Sequence, residues 1–403
     1  MPVPPLRGVR VLDLTRMLAG PHCTLILGDL GAEVIKVEAP PDGDFTRTIG
    51  PPFAAGESGY FMSVNRNKQS LVLDLKQPAG REVFFDLVDV CDVLVENFRV
   101  GVTRRLGIDA EAVRARNPRL VYCSISGFGQ HGPLRDFPAY DLSIQALSGG
   151  MSITGEPRGP LVKMGIPIGD LGASLYGAIG ILAALQARSV SGEGRTVDVA
   201  MFDANLALLT YLAGPYFLDG ETNKRPEGTG HPNIVPYRMY PTRDGQITVA
   251  FIGEGFWPIL CAALGRPELA DDPRFATNAA RVAHREEVDR FLEEAFAAYD
   301  AEELAQTLLE RGLPVAKVNT IDEALSLPHV AERAMAIVLR HPRSGPITAL
   351  GNPVKMAGIE EADFAPPPLL GQHTRRILGE LLHYDAARIE ELEAGGVIRC
   401  AAS

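Results

Sequence analysis

The stretch "PIGDLGAS", residues 167–174, sets one carboxylate, Asp170, between glycines in a run that is apolar on both sides; it is the only acid between Glu156 and Glu193. Two kinds of chemistry suit it. Ahead of the helix-favouring "LGASLYGAIGILAALQAR" an aspartate can accept hydrogen bonds from exposed helix N–H groups, a cap worth about 1 kcal/mol. Those donors also keep it ionised, and an ionised carboxylate is the form a covalent catalyst uses. Gly169 and Gly172 present little side chain, so a bulky carbonyl can approach. Asp141, in "PAYDLSIQALSGG", is a second candidate cap whose simpler reading is a hydrated loop. Tyr140 beside it offers a phenol as donor, or only a half-buried aromatic.

"GFGQHG", residues 127–132, matches the GxGxxG pattern of dinucleotide sites, yet Pro133 and Pro138 break the helix that must open at its third glycine. A flexible loop at a strand end describes it better. Arg16, Lys76 and Arg105 stand at or just after expected strand ends; each alone is a solvated surface charge, and together they form a set that suits phosphate groups. The eight histidines make no HxH or HExxH spacing, so no metal site is expected. Five scattered cysteines without a CxxC pair, no leader-like start and no apolar run of about 20 residues fit a reduced, cytoplasmic protein away from membranes. A net charge of -11 disfavours nucleic acid as a partner, because the summed field repels phosphates.

These groups need elements to hold them. Over the first 125 residues, apolar strands alternate with helical stretches: 9–15, 33–38, 70–76, 92–98 and 120–126 read as strands, with a helix over 78–91 among those between them. That rhythm predicts an α/β fold of βαβ units with a parallel sheet, and ligand at the loops after residues 15, 38, 76, 98 and 126. At 403 residues, 46% of them hydrophobic, the chain is expected to form two domains. We expect a large domain beginning with residues 1–220, a Gly- and Pro-rich linker at 221–233, a smaller α/β domain at 234–325, and a return segment, 326–403, completing the large domain.

The blocks "GVRVLDLTRMLAGP", "GDLGAEVIKVE", "NRNKQSLVLDLK", "DVLVENFRVGVTRRLG", "YCSISGFGQHGP", "YDLSIQALSGGMSITG", "GDLGASLYGAIGILAAL" and "DPRFATNAARV" run in order over nearly the whole chain. Together they resemble the class III coenzyme A transferases, the CaiB/BaiF family. The resemblance implies a Rossmann-like large domain built from both ends of the chain, a smaller middle domain, and two subunits interlocked as a homodimer. It places the family's nucleophile on Asp170 and its coenzyme A contacts on Met17, Leu18, Ala19, Leu73, Lys76, Asn97 and Arg105, with Tyr140 near the pantetheine and acyl end. It implies no prosthetic group: acyl-CoA and a carboxylic acid are the substrates, passing through an aspartyl anhydride and an aspartyl-CoA thioester. The glycines at 127–132 or 253–255 then become candidate oxyanion donors, and Arg16 or Arg47 a partner for a distal carboxylate.

Departures sharpen the expectation. Ala39 follows "KVE" where some members carry a basic residue, and "IGEGFW" lacks the glycine run of formyl-transferring members. Tyr140 stands where the racemases of this fold use a histidine, which makes an α-methylacyl-CoA racemase the alternative, with a coenzyme A-binding protein lacking turnover as a third reading. "LTRMLAGP", "TRTIGPPF", "NIVPYRMY" and "PPPLLGQHT" are most similar to members that move coenzyme A from succinyl-CoA to glutarate or related dicarboxylates.

Overall fold

The computed structural model describes residues 3–222, 225, 230, 231 and 233–401. Of the expected linker 221–233, residues 223, 224, 226–229 and 232 lie outside the described residues. The chain divides into two compact units. One comprises the residues up to Ser148, Met164–Thr210 and Pro328 onward; the other comprises Gly149–Lys163 and Tyr211–Leu327. Gly149–Lys163 therefore groups with the second unit although it lies well before the expected linker.

In the first unit, β1 (Arg10–Asp13), α1 (Ala19–Asp29), β2 (Glu33–Glu38), α2 (Gly59–Val64), β3 (Lys68–Leu73), α3 (Pro78–Val90), β4 (Val93–Glu96), α4 (Val102–Leu106) and β5 (Val121–Ser126) follow one another. Then come α5 (Asp141–Leu147), α6 (Ile168–Ser191), β6 (Thr196–Ala200) and α7 (Met201–Leu208). The second unit carries β7 (Tyr237–Pro241), β8 (Gln246–Ala250), helices including α8 (Phe256–Ala263), α9 (Arg285–Phe296) and α10 (Ala301–Glu310), and β9 (Val315–Lys317). Its three strands form an antiparallel sheet packed around Tyr240, Trp257, Leu292 and Phe296. In the return segment, α11 (Ala386–Ala394) and β11 (Ile398–Arg399) come back to the first unit, after the hairpin strand β10 (Ala336–His341).

The main sheet runs in the order β11-β3-β2-β1-β4-β5-β6, all neighbours parallel except β11. Its strands are apolar on both faces because helices cover both. Val11, Val34 and Val93 face α1 and α6, while Leu12, Ile35 and Leu94 face α3 and α11. The order reverses at β1, whose neighbours are β2 and β4, and a ligand crevice is expected at the carboxyl ends of the strands there. β3 begins two residues before the expected position 70, because Lys68 and Gln69 pair with Val34 and Ile35 of β2 despite their polarity.

One expectation is corrected here. The 24-residue α6 is long and apolar enough to cross a membrane, with a mean hydropathy of 1.6 over an 18-residue window. In the fold 44% of that window is buried, against α1 and the sheet. Along the sequence, Asp170, glycines and small residues dilute the run.

Candidate functional site

A cavity of about 610 Å³ opens at the carboxyl ends of the strands. Arg16, Met17 and Ala19 reach it from the loop after β1, Lys76 from beyond β3, and Asn97, Arg99 and Arg105 from beyond β4. Gly127, Arg135, Phe137 and Tyr140 follow β5, Met201 follows β6, and Asp170 comes from the first turn of α6. Five cationic side chains and two carboxylates line it, a positive recess in a protein of net charge -11. Four of the five expected loops contribute; the loop after residue 38 lends only Ala39, to a side pocket of about 60 Å³.

The site residues expected from sequence are therefore mostly convergent. Asp170, Met17, Ala19, Lys76, Asn97, Arg105 and Tyr140 share the cavity. Leu73 is buried and lines only the side pocket, which also borders on Arg16 and Lys76. Leu18 lines neither; it is half-buried and precedes α1, its carbonyl accepting from His22 N–H at 2.9 Å. Asn97 has a role the sequence did not disclose. Its Oδ1 accepts from Arg16 N–H and its Nδ2 donates to Arg16 O, both at 2.8 Å, so one amide clamps the backbone of the first loop. Met17 next to it holds φ 65°, a conformation a side chain rarely adopts unless its surroundings impose it.

Those surroundings are a buried ionic network. Lys68 Nζ, wholly buried, donates to Asp13 Oδ2 at 3.1 Å, Pro21 O at 2.8 Å and Asn65 Oδ1 at 2.9 Å, tying the end of β1 to the first turn of α1. Lys36 Nζ donates to Thr15 O at 2.7 Å and pairs with Asp44 Oδ2 at 2.9 Å. The lysines hold the Asp13 and Asp44 carboxyls below their usual range against the opposing pull of burial. A lysine inside the apolar "EVIKVE" was the available signal for this network.

Asp170 corrects its sequence reading. The residue before α6 is Pro167, no side chain of its own caps the helix, and Asp170 stands third within it. The carboxylate that serves the helix end is Asp141: its Oδ1 accepts from Gly169 N–H at 2.8 Å, and its Oδ2 accepts from Gln145 Nε2 at 2.8 Å. Asp141 therefore caps α6, whereas its own helix, α5, is capped by Tyr140 and Ser143. A methyl on Gly169 would lie 2.8 Å from Asp141 Oδ1, so this approach requires glycine. Asp170 instead faces the backbone N–H of Ala19, at the start of α1, which favours its charged form. Burial, then the Asp141 charge, push its carboxyl up to about 6, while the Ala19 N–H opposes them. The helix end does not hold Asp170 below the usual carboxylate range. A carboxylate with that affinity for protons is still ionised at neutral pH and is a stronger nucleophile than an ordinary one. Tyr60 of α2 also feels Asp170: burial and the charges of Asp170, Asp44 and Asp141 raise its phenol to about 12.

Two other expectations resolve differently. Arg47 is committed to structure, with Nε and Nη2 on Glu38 at 2.7 Å and its guanidinium 3.6 Å from the centroid of Phe61. Of the glycine loops, Gly127 lines the cavity, whereas 253–255 belongs to the second unit, where Glu254 accepts from Asn278 N–H and from Arg281. No helix opens at Gly132, so the GxGxxG match has no phosphate-facing helix end. Among the described residues, no group of three His, Cys, Asp or Glu side chains is placed to hold a metal ion.

Fold and cavity together define a doubly wound α/β enzyme with a cationic site at its switch point. The chain belongs to CoA-transferase family III, whose model matches residues 6–374; coenzyme A thioesters are substrates in that family. Succinyl-CoA:glutarate CoA-transferase of Mus musculus is 40% identical over 394 residues, covering 98% of this chain and 90% of that protein. Succinate–glutarate CoA-transferase of Agrobacterium fabrum is 40% identical over 384 residues, 94% of this chain and 96% of that protein. The crystal structure of a CaiB/BaiF family protein from Brucella suis superposes with a TM-score of 0.85 at 38% identity, covering 94% of this chain and all of that one.

Proposed function

We propose that this enzyme moves coenzyme A from succinyl-CoA to a dicarboxylic acid such as glutarate, with Asp170 as the covalent nucleophile. The observation that carries the reading is Asp170 itself, a carboxylate raised to about 6 on the wall of a cationic cavity, facing the Ala19 N–H. An Asp170 oxygen attacks the thioester carbonyl carbon, the C–S bond breaks, and coenzyme A leaves as thiolate from an aspartyl-acyl anhydride. The thiolate attacks the Asp170 carbonyl carbon of that anhydride, forming an aspartyl-CoA thioester and releasing the donor acid as carboxylate. The acceptor carboxylate then attacks this thioester, and the steps run in reverse to free Asp170 and the new acyl-CoA. The thioester energy is conserved throughout.

Ala19 N–H supplies an oxyanion donor for the tetrahedral stages in which the Asp170 carbonyl is attacked. Lys76, Arg105 and Arg99 meet the phosphates of coenzyme A, and Arg16 and Arg135 are left for a distal carboxylate; their shared place on the cavity wall supports this division. Met17, Asn97 and Tyr140 border the thioester's path. A histidine base is absent from the Tyr140 position, which favours transfer over racemisation.

The working form is an interlocked homodimer. Leu175, Tyr176 and Ile179 on α6 and Leu142 and Leu147 on α5 are exposed, an apolar surface that a second copy would bury. Five unpaired cysteines suit the reducing cytoplasm. The test is an acceptor panel of mono- and dicarboxylic acids with succinyl-CoA, alongside mass spectrometry of enzyme trapped with hydroxylamine. Transfer to glutarate with a hydroxamate on Asp170 supports the reading; transfer without modification of Asp170 overturns the mechanism.

A further inference from the structure

α1 and α6 meet along one seam. Asp170, Ser174 and Gly177 are spaced four and three residues apart on α6 and so share a face; on α1, His22 and Cys23 lie three and four residues after Ala19, on the side of the helix that Ala19 begins. The Ala19 N–H faces Asp170, and His22 Nδ1 lies 2.7 Å from Ser174 Oγ. A methyl on Gly177 would come within 3.1 Å of Cys23 Sγ and 3.0 Å of Ile125 Cδ1, so this glycine lets the helices close up. Of these contacts, the one between His22 and Ser174 is the only hydrogen bond made by side chains on both helices, and it lies one turn from the reacting carboxylate.

Its direction follows from donor counting. Ser174, fully buried, donates its single hydroxyl hydrogen to Leu171 O at 2.9 Å. With that hydrogen on Leu171 O, the Ser174 oxygen is free to accept from His22, the arrangement of an imidazole that carries its proton on Nδ1. Burial, together with the charges of Lys68 and Arg66, pushes the ring down to about 4, so it is neutral at working pH.

We propose that the Nδ1–H bond from His22 to Ser174 sets the register of α1 against α6 and thereby holds the Ala19 N–H on Asp170, making His22 and Ser174 positioning residues for acyl transfer. The inference rests on Asp170 being the acyl acceptor. Displacing a reacting group by about 1 Å costs roughly a hundredfold in rate, and no other side-chain hydrogen bond between these two helices is available to restore the register. The charged or polar groups facing Asp170 are Asp141 from α5, Tyr60 from α2 and the Ala19 N–H from α1; those facing His22 are Lys68, Arg66 and Ser174.

The test compares Ser174→Ala, His22→Leu and His22→Asn with the parent enzyme. Asparagine can place its Nδ2 where Nδ1–H stood. Ser174→Ala and His22→Leu should slow single-turnover acylation of Asp170 by succinyl-CoA about ten- to hundredfold, with KM for succinyl-CoA within about twofold. The acid limb of their pH profiles should move upward, since the Ala19 N–H no longer favours the charged carboxyl. His22→Asn should recover to within about threefold of the parent. Parent-like acylation and acid limbs in the first two variants overturn the proposal, as does an asparagine variant no better than leucine. Should a variant fail to fold, ¹⁵N spectra of histidine-labelled parent enzyme decide: a neutral ring protonated on Nδ1 is expected, and an Nε2–H tautomer overturns the proposal. A parent enzyme never acylated on Asp170 refutes the nucleophile instead, a result separate from the tautomer.

Discussion

Asp141 Oδ1 accepts a hydrogen bond from Gly169 N–H at 2.8 Å, which fixes its negative charge beside the residue that follows, Asp170. One carboxylate thus caps the helix that carries the other and raises its proton affinity. Two acids that sequence reading treats as separate caps form one device, in which the cap tunes the neighbour. The cost is electrostatic and falls on the folded state, as at many active sites.

Asp170 couples stability to pH. Its folded carboxyl is raised from 3.8 to about 6, so it favours the fold below the unfolded value, and that contribution is lost as pH rises through 6. Asp170→Asn should therefore abolish transfer, by about 10³-fold or more, while stabilising the protein at pH 8 by on the order of 1–2 kcal/mol, allowing for partial exposure. Thermal melts at pH 5 and pH 8 check this; a variant no more stable at pH 8 contradicts the assigned burial.

In the parent enzyme, kcat/KM should fall as pH drops below about 6, where Asp170 takes up a proton. Asp141→Asn keeps an oxygen to accept from Gly169 N–H but removes the like charge, so the acid limb should move downward. Relative to its own rate at pH 8, the variant at pH 5 should retain several-fold more activity than the parent. An unmoved limb would show that Asp141 does not act on Asp170.

Asn97→Ala removes both bonds to the Arg16 backbone. Each bond contributes about 1 kcal/mol, and the loop presenting Met17 and Ala19 should loosen. We expect KM for acyl-CoA to rise roughly tenfold with a melting temperature within a few degrees of the parent. Unchanged KM would show that the clamp carries no functional weight.

Lys68→Met leaves the buried Asp13 carboxylate without its hydrogen-bonded charge partner, with only the Lys36 charge nearby. Breaking such a pair costs about 3–5 kcal/mol, and urea unfolding should report a loss of that size. A loss below about 1 kcal/mol would mean that the threonine donors on Asp13, Thr15 and Thr24, suffice alone.

Much of this was legible along the chain. Strand and helix periodicities are local, so the βαβ rhythm, the parallel sheet and the loops that line the cavity could be read before any contact was known. Seven of the nine expected site residues share that cavity for the same reason: in a parallel sheet, strand ends in sequence are neighbours in space. Leu18 and Leu73 departed because whether a side chain points to a cavity or into a core depends on packing that strand and helix patterns leave open.

The sequence by itself determined the family, the α/β architecture and the presence of a lone carboxylate at the start of an apolar helix, since these rest on residue order and on local periodicity. Only the tertiary structure decided how that carboxylate behaves. Asp141 caps α6 from 29 positions upstream of Asp170, the N–H of Ala19 faces Asp170 from the far end of the chain's first loop, and Lys36 and Lys68 sit buried beneath that loop. Hydrogen bonds and charges act over a few ångströms of space, whatever the distance along the chain, and so the expected ionised cap became a carboxyl raised to about 6 between two helix ends.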